Sequence, residues 1–286
     1  MITTIIFSKD RTLQLDLAIN SLKKNYKDCD EIFVLEKYSE EYLPSLKILK
    51  NEHDDVKFIK QGGSIYKDVK DISLLSKNDF ICFFTDDDIF YRFMQNNKDN
   101  NIYEYIFSIE SINICCISLR LGLNICKRRR SGMWFDDKPV AAVDGGDVVF
   151  IPKTHYSYGS YWSYSHSLDG HIFQKDYVRS IMSELQYLDE RYKYPQNPNE
   201  LETQMQRFWP LSNPFIVAPK LSYVVNTPNN RVSETHNDNR SGEDIELDSD
   251  FLLGKYMSGK RIDIDLLDFD NIECPHQEIN ILEGIT

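Results

Sequence analysis

The sequence predicts an α/β fold, a mostly parallel sheet flanked by helices. Three observations predict it. Apolar runs of strand length alternate with runs of helical period from the start of the chain to Thr85. The connections between them are short, as expected for parallel strands joined by crossover helices. Polar residues gather where the strand runs end, at Ser8 to Arg11, Glu36 to Tyr38 and Asp86 to Asp88. That is the edge where such sheets bind ligands.

Taken in order, "TTIIFS" (Thr3 to Ser8) reads as a buried strand. "RTLQLDLAINSLKKN" reads as a helix, with Leu13, Leu17, Ala18, Ile19 and Leu22 near helical spacing. "EIFVLE" (Glu31 to Glu36) is a second strand and "SEEYLPSLKILKN" a second helix, with Pro44 in or near its first turns. "VKFIK" (Val56 to Lys60) is a third strand; Gly62 and Gly63 then break the chain before the helical "SIYKDVKDISLLSK". The fourth strand, "FICFF" (Phe80 to Phe84), runs through Thr85 into three carboxylates, Asp86, Asp87 and Asp88. Further on, "IYEYIFSIESI" reads as a helix, "NICCISL" as a strand, "KRRRSGMWFDD" as a charged loop and "DVVFIP" as a strand. An aromatic, serine-rich stretch follows, "HYSYGSYWSYSHSLDGHIF", then a helix from Tyr177 towards Tyr192. "YPQNPNELETQMQRFW" holds a proline-limited loop that opens a new helix. The tail has a polar loop, "NNRVSETHNDNRSGED", and amphipathic pieces up to "CPHQEINIL". The pattern divides near residue 120.

A chain of 286 residues suits one large α/β domain or two small ones. With 41% apolar and 13% aromatic residues it is globular rather than disordered. Its 33 basic and 45 acidic side chains give −12, which argues against nucleic acid as the main partner. An anionic substrate then needs a metal or a local basic loop. The six cysteines show no zinc-ligand spacing, and Cys82, Cys115 and Cys116 sit in apolar runs, as buried reduced thiols do. "MITTIIFSKDR" lacks a basic n-region, and no run approaches the roughly 20 apolar residues that span a bilayer. These features lead to the expectation of a cytoplasmic protein.

Three adjacent like charges repel, so a strand ending on Asp86, Asp87 and Asp88 calls for a cation. The competing reading is a solvated turn or helix cap, where Asp is favoured. The position after the fourth strand of an alternating pattern favours a ligand site, and oxygen donors suit Mn²⁺ or Mg²⁺.

The sequence also resembles a known family, the glycosyltransferases of the GT-A fold, close to the family 2-like group that uses nucleotide-diphosphate sugars. "FSKDRTLQLDLAINSL" is similar to that group's opening strand, Arg-containing turn and helix. "VLEKYS" is similar to its second strand, and "GGSIYKDVKDISLLSKNDFICFFTDDD" to the segment that ends in its D-x-D. The likeness covers about residues 1 to 120. It departs at Glu36-Lys37-Tyr38-Ser39, where the group more usually has Asp-Asp-x-Ser.

The resemblance implies a nucleotide-sugar-binding half, 1–120, and an acceptor-binding half with a C-terminal extension, 121–286, in one GT-A domain. It implies Asp86 at the ribose or metal, Asp88 as metal ligand, and Asp87 as helper or bystander. It also implies Arg11 by the nucleotide, Glu36 near the base, and Ser8 in contact with the donor. The alternatives are a surface charge for Arg11 and an ordinary polar strand end for Glu36. In the second half, Trp162, Tyr161 and Tyr164 are candidates to stack on sugars, or are core aromatics. "NPNELET" resembles the acidic helix start that supplies the base in inverting members. Glu202 is the first candidate base, followed by Glu200 and Asp169; a helix N-terminal acid serving the macrodipole is the alternative. His236 and His276 are candidate metal ligands. His155, His166 and His171 could touch substrate, and spacing does not choose among them. Lys127 to Arg130 is a solvated loop, a grip on a phosphate-bearing or lipid-linked acceptor, or a contact with an anionic membrane face.

The expectation is a metal-dependent glycosyltransferase that moves sugar from a nucleotide-diphosphate donor, a UDP-sugar by analogy, to a saccharide or glycolipid hydroxyl, with inversion. A catalytically silent saccharide- or nucleotide-binding protein on the same scaffold is the alternative. A metal-dependent phosphohydrolase is weaker, because it wants its nucleophilic Asp after the first strand, which here ends in "SKDR".

Overall fold

The computed structural model describes residues 1–95, 102–109, 112–130, 133–139, 142–152, 159–207, 215–230, 232, 242 and 247–286. The first half alternates as expected. It contains β1 (Ile2–Ser8), α1 (Thr12–Asn25), β2 (Cys29–Glu36), α2 (Leu43–Glu52), β3 (Lys57–Lys60), α3 (Ile65–Leu75) and β4 (Phe80–Thr85). A short β5 (Asp88–Phe90) and α4 (Ile102–Phe107) lead to β6 (Ile114–Ser118). Next come β7 (Lys127–Arg130), β8 (Met133–Asp136), β9 (Val143–Asp144), β10 (Val148–Pro152) and β11 (His171–Gln174). The remaining elements are α5 (Lys175–Tyr192), α6 (Pro198–Arg207), β12 (Phe215–Pro219), β13 (Val224–Asn226) and α7 (Ser249–Met257).

Among the described residues the main sheet has nine strands in the order β3-β2-β1-β4-β11-β6-β12-β10-β9. Strands β3, β2, β1 and β4 are parallel, and only β11 and β10 run against the others. Every residue of β1 is buried, as expected for a central strand covered on both faces. Helices flank the sheet: α1 packs with α2 and α7, and α3 packs with α5 and α6. Strands from both halves share this sheet, while β5 pairs with β13 and β7 with β8 in two small separate sheets. The tail, expected on the acceptor side, sends α7 against α1 and α2 of the first half. Tyr42 donates to Asp250 at 3.0 Å and Tyr256 to Glu52 at 2.7 Å.

Strand order places the site. β1 lies between β2 and β4, so the chain leaves β1 in one direction and returns on its other side. The carboxyl ends at such a switch point open a crevice. Phe7 pairs with Thr85 and Ser8 with Glu36 there. The chain then turns at Asp86 and Asp87, and Asp88 starts β5 opposite Asn226 of β13.

The expected charged loop at Lys127–Arg130 is instead one strand of an antiparallel hairpin, β7–β8. Cross-strand pairing explains it: Arg128 lies over the Phe135 ring and Arg129 over the Trp134 ring, so each cation has an aromatic partner.

Gly170, between Asp169 and β11, has φ +70, and a Cβ there would sit 3.2 Å from Val224 side-chain atoms. Gly170→Ala should cost about 1–2 kcal/mol from the left-handed backbone alone. Urea unfolding checks this, and an unchanged midpoint would contradict it.

Candidate active site

A cleft of about 1210 Å³ opens at the carboxyl ends of β1 and β4. At one end Asp86 is the hub. Its Oδ2 accepts from the Ser8 hydroxyl at 2.9 Å and the Lys9 backbone N–H at 3.0 Å, and its Oδ1 accepts from Arg11 at 3.0 Å. The same Arg11 Nη1 donates to Asp87 at 2.8 Å, while Nη2 donates to the Asn230 carbonyl. Arg11 thus bridges the two carboxylates and ties down the segment after β13. Lys9 donates to the Val232 carbonyl from beneath that segment.

Asp88 behaves differently. It is fully buried; Oδ2 accepts from the Thr85 backbone N–H at 2.7 Å, and Oδ1 accepts from the Asn226 amide at 3.0 Å. It does not line the cleft, where it was expected as a metal ligand. The strand geometry is the cause: Asp88 begins β5, and its side chain is turned onto β13. Asp87 and Asp169 do line the cleft. Their Oδ1 atoms lie 2.8 and 3.3 Å from the Thr85 hydroxyl, which Asp88 Oδ2 also approaches, from behind the cleft wall, at 3.1 Å.

Towards the second half, buried Arg120 donates from Nη1 to Asp169 at 2.7 Å and to His276 Nε2 at 3.1 Å. A guanidinium can only donate, so Nε2 is the acceptor and the imidazole proton lies on Nδ1, facing Asn226 Oδ1 at 3.2 Å. The lone pair that a metal would need on His276 is therefore engaged by Arg120. Arg120 also lies over the Tyr161 and Tyr164 rings, its guanidinium carbon 5.7 and 5.8 Å from their centroids. Glu202, on α6, accepts from the Leu168 backbone N–H at 3.0 Å and lines the cleft. Pro198 begins α6, and Asn197 accepts from the Glu200 backbone N–H.

These carboxylates crowd a buried place, and burial disfavours their charged forms. Burial raises Asp86 to about 6, with Arg11 opposing it. Asp88 is pushed well up by burial and then by Asp169 and Asp87. Asp169 is raised by burial, against the pull of Arg120. Glu202 reaches about 7, from burial and then the neighbouring Asp169 charge, with Arg120 opposing. The guanidiniums of Arg11 and Arg120 are outnumbered by the carboxylates they serve.

Other expected residues fall elsewhere. Glu36 turns to Lys50 at 2.9 Å and lines a separate shallow pocket, so it is not at the cleft. Ser8, Lys37, Tyr38, Ser39 and Gln61 line that end of the cleft instead. Glu200 accepts from Gln204 on its own helix and stays out of the cleft. Trp162 is fully buried, with its indole N–H on the Asp137 carbonyl at 2.7 Å, so it offers no face to a sugar. Tyr161, Tyr164 and His276 do line the cleft. His166 and His171 are buried. His155 and His236 lie outside the described residues. Arg120 and Asn226 were not anticipated. A lone Arg at the end of the "ICCISLR" run was an available signal for the first; the second gave none.

No three His, Cys, Asp or Glu side chains among the described residues are arranged as a ready metal cage. Mg²⁺-type sites commonly use one or two carboxylates, with waters and substrate phosphates completing the shell. Asp87 and Asp169, converging hard-oxygen donors in a place with excess negative charge, fit that pattern.

No family model and no curated protein matches the chain. Among solved structures, it is similar to S. aureus TarS at 13% identity, covering 63% of this chain and 29% of that one, with a TM-score of 0.37. An active-site mutant of LgtC shows 13% identity over 71% of this chain and 69% of its own, with a TM-score of 0.35. A putative glucose-1-phosphate thymidylyltransferase from Bacillus anthracis shows 12% identity over 79% and 89%, with a TM-score of 0.34. The chain spans less than a third of TarS. Likenesses of this size carry no argument about activity. No described helix is long and apolar enough to cross a membrane.

Two outcomes follow from the site. Arg11→Ala leaves Asp86 and Asp87 buried without their shared cation and should destabilise by about 3–5 kcal/mol, measured by denaturant unfolding; a loss typical of a surface salt bridge would contradict the bridging role. The raised carboxylates also set a pH dependence. Glu202 shifts from 4.5 to about 7 and Asp86 from 3.8 to about 6, so between those values the folded state binds more protons than the unfolded chain. Stability contributed by the site therefore rises as pH falls from about 7 towards 5. Melting temperatures across that range test the sign; a monotonic fall would contradict it.

Proposed function

We propose that the protein is a glycosyltransferase of the GT-A type, transferring a sugar from a nucleotide-diphosphate donor, a UDP-sugar, to a hydroxyl of a saccharide or lipid-linked saccharide. The observation that carries this reading is the cleft itself. Arg11 and a carboxylate pair stand at the switch point of a parallel sheet, and Glu202, held near neutral pKa, lines the same cleft beside Asp169. A proton acceptor with a pKa near the working pH suits general base catalysis.

In this reading the nucleotide lies along Ser8 to Arg11 and Tyr38, with its diphosphate towards Asp87 and Arg11. Asp87 and Asp169 would hold Mn²⁺ or Mg²⁺, which when bound neutralises the departing diphosphate. Glu202 takes the proton from the acceptor hydroxyl as that oxygen attacks the anomeric carbon. The bond from the anomeric carbon to the phosphate oxygen breaks, and its electron pair leaves with the nucleoside diphosphate. Attack from the face opposite the leaving group inverts the configuration. Arg120 opposes the burial that raises Asp169 and orients it beside Glu202, and Tyr161 and Tyr164 wall the sugar.

A thermal-shift panel with UDP, GDP, dTDP and CMP, each with Mn²⁺, Mg²⁺ or EDTA, tests the donor side. A nucleotide at 100 times its dissociation constant should add about 2.7 kcal/mol of stability. We expect one diphosphate to stabilise, with EDTA or Asp87→Asn abolishing the gain. No stabilisation in the folded protein would remove the donor-site reading. Glu202→Gln should keep the nucleotide response and lower turnover by about 10²–10⁴-fold, the usual range for a general base. Binding without turnover in the wild type would instead support a silent binding protein.

A further inference from the structure

The β7–β8 hairpin carries more than its pairing requires. Trp134 is 48% exposed, yet it and Arg129 line the same cleft as Tyr161, Tyr164 and Glu202. Arg129 and Trp134 are cross-strand partners, with the guanidinium carbon 5.4 Å from the ring centroid, so both belong to one face of the hairpin. On the other face Arg128 reaches Gly159, another cleft residue, where a Cβ would stand 3.2 Å from Nη1. The hairpin is thus a cationic, aromatic lip on a cleft whose floor is acidic, in a chain of net charge −12.

We propose that the acceptor is an anionic saccharide, held at this lip by Arg129 with Trp134 as its stacking platform. This rests on the glycosyltransferase reading of the same cleft. The charge layout supplies the reason. An anionic group is repelled by the floor carboxylates and attracted by the lip, so the acceptor enters with its charge outward and a neutral hydroxyl towards Glu202. A guanidinium suits phosphate and carboxylate equally, by paired N–H donors, and an indole face suits the C–H face of a sugar ring. Anionic lipid is the rival occupant. Arg129 and Trp134 line the same cleft as Tyr161, Tyr164 and Glu202, which favours the saccharide.

The test follows the Trp134 indole N–H resonance of the wild-type protein, assigned with Trp134→Phe. The probes are glucose 6-phosphate, glucuronate and glucose. Either anionic sugar should move the resonance while glucose at the same concentration leaves it in place; the pair of probes separates phosphate from carboxylate. Arg129→Gln should weaken that response about tenfold, the value of one charge-assisted hydrogen bond. Arg129→Lys, which keeps charge but not the fork, should fall between. The idea is overturned by equal responses to glucose and the anionic sugars, by no response to either anion, or by an Arg129→Gln titration that matches wild type. A response to phosphatidylglycerol vesicles alone would also overturn it and make the hairpin a membrane contact. UDP added to the wild type in a separate arm reports the donor end, so failure at the lip is distinguishable from failure of the transferase reading.

Discussion

The bridge from Arg11 to Asp86 and Asp87 is the constraint on which the rest of the site depends. Three consecutive carboxylates at the end of a buried strand repel one another and lose water, and either effect alone opposes folding. The bridge makes their placement tolerable, and it does so with a residue from the turn after β1. The neighbouring strand end is thereby fixed against the end of β4. The same guanidinium reaches the Asn230 carbonyl, so the segment after β13 closes over the strand ends as a consequence of the same pairing. Asn226 adds a neutral donor to Asp87 and Asp88 from the other side.

Compensation is incomplete, and the proposed chemistry rests on that incompleteness. Arg120 serves Asp169 as Arg11 serves Asp86, yet Asp88 and Glu202 still hold protons more tightly than ordinary carboxylates. A place that binds excess protons is also a place prepared for another cation. One property therefore connects the pH dependence of stability with the metal-and-diphosphate site and the general base proposed above.

Much of this was legible in the sequence, for physical reasons. The strand–helix alternation is carried by side-chain period, and β1, α1, β2, β3, α3 and β4 fall where the period puts them. Asp86, Asp87, Arg11 and Ser8 were legible because strand ends of a parallel sheet converge by topology. Glu202 was singled out only through the resemblance of "NPNELET" to an acidic helix start, and the structure places it in the cleft. Side-chain direction was not legible. Glu36 and Asp88 have the right position along the chain, but Glu36 turns to Lys50, and Asp88 is buried behind Thr85 and Asn226, which line the cleft in its place. Trp162 stands between two cleft-lining tyrosines and is nonetheless packed into the core. Asn226 comes to the site through long-range pairing that no local pattern encodes, Arg120 was signalled only by its place at the end of the "ICCISLR" run, and cross-strand Arg–aromatic pairs turned an expected loop into a hairpin.

The most direct test is the proton balance of ligand binding. Calorimetric titration of UDP with Mn²⁺ at a pH between 6 and 7, in two buffers of different ionisation enthalpy, counts protons exchanged. If the raised carboxylates ionise to receive the cation and diphosphate, binding releases protons, and the apparent enthalpies in the two buffers differ by that number times the difference in their ionisation enthalpies. Binding with no buffer dependence, or with proton uptake, would contradict the claim that this buried charge excess is what holds the donor.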